Sequence, residues 1–221
     1  MKINLLFCSS FLLLASTFAQ AAPVLFIGTP GDADLSKNPG PSPALGNLLN
    51  FDTLTAFSTF VPNTYAAQGY SSISSPDGLI VLPFSDQSGP NELFDNSSDG
   101  TANITIDLSF GTSAIGVGIA DSDPVSITLQ ALDASGGDLG QAFTVNLPAT
   151  ESATNFGNGY YGISDTTKDI FGLQITQTVS NAADFSGLAI DDVQTAPEPS
   201  TMLLLTAGAA ILGAVRLRKR A

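Results

Sequence analysis

Ile104-Thr105-Ile106-Asp107-Leu108-Ser109-Phe110 is the stretch on which the fold turns. Apolar and polar residues alternate strictly, the period of two that sets one strand face in a core and the other in water. The alternation recurs downstream. Ile115, Val117 and Ile119 frame Gly116 and Gly118, and Val125, Ile127, Leu129 and Ala131 frame Ser126, Thr128 and Gln130. Phe143, Val145 and Leu147 follow, then Phe171, Leu173 and Ile175. Leu79 to Leu82 is continuously apolar, the pattern of a strand covered on both faces. Asp121-Ser122-Asp123-Pro124 separates two of these strands, and Asp133 to Gly140, with three glycines, joins the next pair as a hairpin. No stretch of the body shows a helical period with caps. Short strands at this spacing, with frequent Gly and Pro, predict an all-β sandwich.

Working outward, residues 22–196 have the length of one domain, and no repeat period is visible. Pro30, Gly31, Pro39, Gly40, Pro41 and Pro43 make 28–47 a loop-like leader to it. This body carries 19 acidic residues against Lys37 and Lys168, a net charge of −17. Such a surface repels phosphate backbones and lacks the clustered cations that counterion release requires, which excludes nucleic acid as a partner. The chain has no His and no Trp. Without His there is no side chain of ordinary pKa near 7, no Ser-His-Asp triad and no imidazole ligand, which removes most hydrolase and zinc-enzyme readings.

The two ends read as targeting segments. Lys2, the apolar run Ile3 to Ala15 and the small-x-small triplet Ala19-Gln20-Ala21 form a secretory signal peptide over 1–21, with cleavage expected after Ala21. Cys8, the one Cys, leaves with it, so the mature chain has no disulfide and no thiolate metal site. At the other end, Pro197-Glu198-Pro199 leads into an apolar run from Thr201 to Val215, closed by Arg216, Arg218, Lys219 and Arg220. As a helix that run is about 22 Å long, short against a hydrocarbon core of about 30 Å. The basic cluster is a stop-transfer signal that stays cytoplasmic and leaves the acidic body on the exported side.

The order Pro-Glu-Pro, short Leu/Ala/Gly-rich transmembrane helix, terminal Arg/Lys cluster over 197–221 resembles the PEP-CTERM sorting signal of exopolysaccharide-producing Gram-negative bacteria. The resemblance implies an inner-membrane-anchored precursor and an exosortase, a membrane protease/transpeptidase that processes the tail near Pro197-Glu198-Pro199. Within the body, Leu188-Ala189-Ile190-Asp191-Asp192-Val193 resembles the closing strand of extracellular jelly-roll domains of the carbohydrate-binding type. Val61-Pro62-Asn63-Thr64-Tyr65 with Gly69-Tyr70 resembles the entry segment of exported ectodomains with this tail. The expected architecture is therefore a jelly-roll-like β-sandwich between a signal peptide and a sorting helix.

Candidate chemistry is sparse. Paired carboxylates run glycoside hydrolysis when they face one another across a cleft. The neighbours Asp191 and Asp192, however, point to opposite faces of a regular strand. Asp133, Asp138, Asp165 and Asp169 stand where turns are expected. An acidic, loop-rich domain can also gather oxygens for Ca²⁺, and Asp191 and Asp192 are the candidate ligands. No linear Asp-x-Asp-x-Asp-Gly loop supports them. Tyr160-Tyr161, flanked by Gly157, Gly159 and Gly162, is the candidate sugar contact, with one ring packed and the other exposed. No other cofactor is expected, and the chain reads as a non-enzyme. The leading function is an exported surface or extracellular-matrix protein with a structural or interaction role alongside exopolysaccharide. A carbohydrate-binding module is the alternative, and a carboxylate-based glycoside hydrolase or lyase stands third.

Overall fold

Among the described residues, twelve strands carry the alternating segments into two sheets, as seen in a computed structural model of the chain. The structure describes residues 22–27, 46–83, 90–97, 101–120, 126–146, 159–167, 169–178 and 188–196. The signal peptide 1–21, most of the leader, Asp121 to Pro124 and the tail 197–221 lie outside the described residues. In chain order the strands are β1 (Val24–Ile27), β2 (Gly46–Leu49), β3 (Tyr70–Ser74), β4 (Leu79–Leu82), β5 (Glu92–Asp95) and β6 (Thr101–Thr112). They continue with β7 (Ala114–Ala120), β8 (Ser126–Leu132), β9 (Phe143–Asn146), β10 (Gly159–Ser164), β11 (Ile170–Thr178) and β12 (Ala189–Thr195). A single 3₁₀ turn at Ala66–Gln68 is the one helical element among the described residues.

One sheet has the order β1-β10-β7-β12-β5-β4, with β2 also pairing with β12. The other has the order β3-β6-β11-β8-β9, and every pairing in both is antiparallel. The protein is an all-β sandwich of two antiparallel sheets.

Register carries the alternation into the core. On β11, Ile175 lies opposite Ile104 of β6 and Leu129 of β8, and Leu173 lies opposite Ile106 and Ala131. On β12, Ile190 lies opposite Ile119 of β7 and Leu93 of β5. All of these side chains are buried in one continuous cluster between the sheets. Each large aliphatic chain so buried contributes about 2 kcal/mol of transfer free energy.

Three local expectations change. Leu79 and Val81 are buried while Ile80 and Leu82 are half-buried, so β4 is covered on one face rather than two. Phe171 is half-buried and Ile170 is fully buried, because the pairing of β11 with β6 slips between Ile170 and Gly172 and reverses the phase there. The strand β2 begins at Gly46, inside the segment read as leader. The hairpin between β8 and β9 forms as its turn residues dictate: Gly136 N–H donates to the Asp133 carbonyl at 3.0 Å, and Gly136 and Gly140 take φ of 78° and 72°.

Candidate functional site

Asp191 and Asp192 sit where β12 leaves regular geometry. Asp191 lies opposite Gly118 of β7, but Gln194 lies opposite Gly116, so the register shifts between them and Asp192 takes φ of 48°. An extra residue in one strand of an antiparallel pair is a bulge, and it breaks the rule that successive side chains alternate. Both carboxylates are buried, at 0% and 1% exposure. The opposite-face expectation applies to a regular strand, and the bulge takes Asp192 out of that geometry.

Two further carboxylates approach from distant parts of the chain. Burial pushes Asp191 up to about 8; the charge of Asp192 adds to the rise, as do Glu92 on β5 and Asp52 ahead of the 3₁₀ turn. The Asp192 backbone N–H donates to the Asp191 carboxylate and acts in the opposite sense. Tyr65 and Tyr160 border the group: burial raises both phenols, and the charge of Asp191 and of Asp192, respectively, adds to it. None of the described residues is Lys, Arg or His. Among the described residues no three acidic side chains converge closely enough to hold a metal ion.

Nothing in the sequence marks Glu92 and Asp52 as neighbours of Asp191, since both lie about a hundred residues or more away in the chain. The other aspartates behave differently. The Asp133 carboxylate accepts from Ser135 N–H, Ser135 Oγ and Gly137 N–H at 2.6–3.0 Å, which holds it below the usual carboxylate range. Asp165 accepts from Thr167 N–H and Thr167 Oγ1. Asp95, fully buried, accepts from Ser75 Oγ, Ser97 N–H and Asn103 N–H. These three shape backbone rather than chemistry.

The tyrosine pair does separate onto two faces, yet neither ring reaches solvent. Tyr161 joins the main core, and Tyr160 joins a second cluster with Phe26, Ala114 and Ala196. Phe26 on β1, 6.4 Å from Tyr160 ring to ring, covers that outer face, and the missing side chain of Gly116 gives the Tyr160 ring its space. The tyrosines are 2% and 4% exposed. Both rings of the candidate sugar contact are therefore packed, Tyr160 by β1 laid over β10.

The family model of the PEP-CTERM protein-sorting motif matches residues 195–220. The chain carries a PEP-CTERM sorting tail. A PEP-CTERM tail marks an exported protein that passes through a membrane. Its apolar run lies outside the described residues, among which no helix is long and apolar enough to cross a membrane. No curated protein matches the chain. Among solved structures it is similar to TmCBM61, determined with β-1,4-galactotriose, at 17% identity over 62% of this chain and 97% of that one, with a TM-score of 0.38. It is also similar to a family 6 carbohydrate-binding module at 16% identity, over 65% and 95% of the two chains, with a TM-score of 0.37. A third is CsCBM6-3 from Clostridium stercorarium, determined with cellobiose, at 17% identity over 66% and 99%, with a TM-score of 0.35. At such scores these likenesses add nothing to the strand order described above.

Proposed function

We propose that this chain is a non-catalytic protein of the cell surface or extracellular matrix. In this reading an exosortase-type enzyme sorts it at Pro197-Glu198-Pro199, and its β body associates with exopolysaccharide. The observation that carries the reading is the match of the sorting motif to residues 195–220. Pro197 and Pro199 lack amide protons and disfavour helix just before them, which suits an extended segment that a protease can bind.

The body is consistent with that role. Strands β5 to β12 lie in the orders β10-β7-β12-β5 and β6-β11-β8-β9, the two four-stranded layers that paired Greek keys of a jelly roll produce. A hydrolase needs carboxylates facing a cleft that substrate can enter, whereas Asp191, Asp192 and Glu92 are buried, which favours a non-enzymatic body.

Replacing Pro197, Glu198 and Pro199 together with Ala tests the proposal in a host that has the processing enzyme. Cell fractionation and immunoblotting are expected to show uncut precursor accumulating in the inner membrane, while the parent is trimmed and reaches the surface. Equal trimming and sorting of the two would reduce the tail to an anchor.

A further inference from the structure

After Phe51 the chain forms a strap along the outer edge of β4. Phe57 N–H donates to the Val81 carbonyl at 2.7 Å, Val81 N–H to the Ser58 carbonyl at 2.9 Å, and Phe60 N–H to the Leu79 carbonyl at 2.8 Å. Beneath the strap, Phe51, Phe60 and Tyr65 pack ring to ring with centroids 5.9–6.2 Å apart, all buried. Three aromatic residues anchor the strap, and the fourth does not join them. Phe57 is 78% exposed and holds φ at 61°. A bulky side chain rarely adopts the left-handed region, and strain of this kind gathers where structure serves binding. Here a hydrogen-bonded backbone fixes an aromatic ring in water.

The surroundings identify the partner. Residues 53–76 contain no Asp, Glu, Lys or Arg, in a body of net charge −17. Thr53, Thr55, Thr59 and Asn63, close to Phe57 in the chain, are exposed and carry hydroxyl and amide groups. An exposed aromatic ring on an uncharged, hydroxyl-rich segment suits a sugar ring, which has an apolar C–H face and a periphery of hydroxyls. A stable protein partner buries about 800 Å² of surface on each side, around an apolar core. On the strap, by contrast, Phe57 and Val61 are the exposed large hydrophobic residues. An acidic polymer would meet the repulsion of the whole body.

We propose that Phe57 is the stacking platform by which this protein binds a neutral polysaccharide, an inference that rests on the exopolysaccharide reading above and locates its contact. A strand-edge platform held rigid before binding limits the entropy lost on association.

The test is native affinity electrophoresis of the full chain in detergent, through gels containing galactan, xylan, hydroxyethyl-cellulose or alginate, and exopolysaccharide from the producing cells. The wild type is expected to be retarded by a neutral polymer and not by alginate. Phe57→Gly is expected to bind about tenfold more weakly, with melting temperature unchanged or raised because Gly accepts this φ without strain. Phe57→Tyr is expected to retain binding. If Phe57→Gly binds as the wild type does, the platform is overturned while the exopolysaccharide reading stands. If the wild type ignores every polymer, the cell's own included, both fall. Loss of binding together with a lowered melting temperature would make Phe57 a structural residue and overturn the platform. So would a Phe57-dependent protein partner with no polymer bound.

Discussion

Asp192 donates its backbone N–H to the carboxylate of its neighbour Asp191, and both side chains are buried. The bulge opposite β7 takes Asp192 out of regular strand geometry, and the charges of Glu92 and Asp52 also act on Asp191. Burial and these neighbouring charges together favour the protonated form of Asp191.

Its consequence is a pH dependence of fixed sign. Asp191 titrates near 8 in the fold and near about 4 in an unfolded chain. Between those values the native state binds the extra proton, so its contribution is complete below the lower pH and lost as pH rises through the upper one. Urea unfolding at a series of pH values is expected to show stability falling across this window. A rise toward pH 8 would contradict the buried, protonated Asp191.

Asp191→Asn isolates the effect from every other carboxylate. The amide keeps an oxygen to accept the Asp192 N–H and cannot ionise. The variant is expected to be more stable than the wild type at about pH 8, by roughly 1–3 kcal/mol, and to flatten the pH profile. Parallel profiles for the two proteins would place the titration elsewhere.

Glycines in the sheet and in a turn are expected to differ in kind. A Cβ at Gly162 would overlap the Phe26 ring and the Ile115 carbonyl, so Gly162→Ala is expected to cost roughly 1–3 kcal/mol through overpacking. Gly78 has open space but φ of 82°, and Gly78→Ala is expected to cost about 1 kcal/mol of backbone strain. Thermal melts should rank Gly162→Ala as the less stable variant; the reverse order would mean that the β1–β10 layer yields easily.

Whether Asp191 and Asp192 behave as buried carboxylates or as calcium ligands is read from melting curves, and burial of both side chains favours the first outcome. Melting curves in excess Ca²⁺ and in chelator should then coincide. A higher melting temperature with Ca²⁺ would reveal a site, because an ion bound only to the native state stabilises it by mass action.

The sequence by itself determined the class of fold and the presence of a sorting tail. Ile104, Ile106 and Leu108 alternate along a strand because a period of two is a local property of extended backbone, readable without any partner. The Pro-Glu-Pro tail was equally legible, because its three parts are contiguous in the chain. Only the tertiary structure decided the rest. Phe26 covers Tyr160 through a pairing between β1 and β10, and Glu92 and Asp52 come to Asp191 through a sheet and a strap, contacts across a hundred residues or more that leave no local pattern. Phe57 shows the same limit: its composition is that of its buried neighbours Phe51 and Phe60, and what turns its ring to water is the hydrogen bonding of the strap to β4. The one-residue bulge at Asp192, and the slip of β6 against β11 between Ile170 and Gly172, are set by pairing with the neighbouring strand and leave no mark in the local sequence.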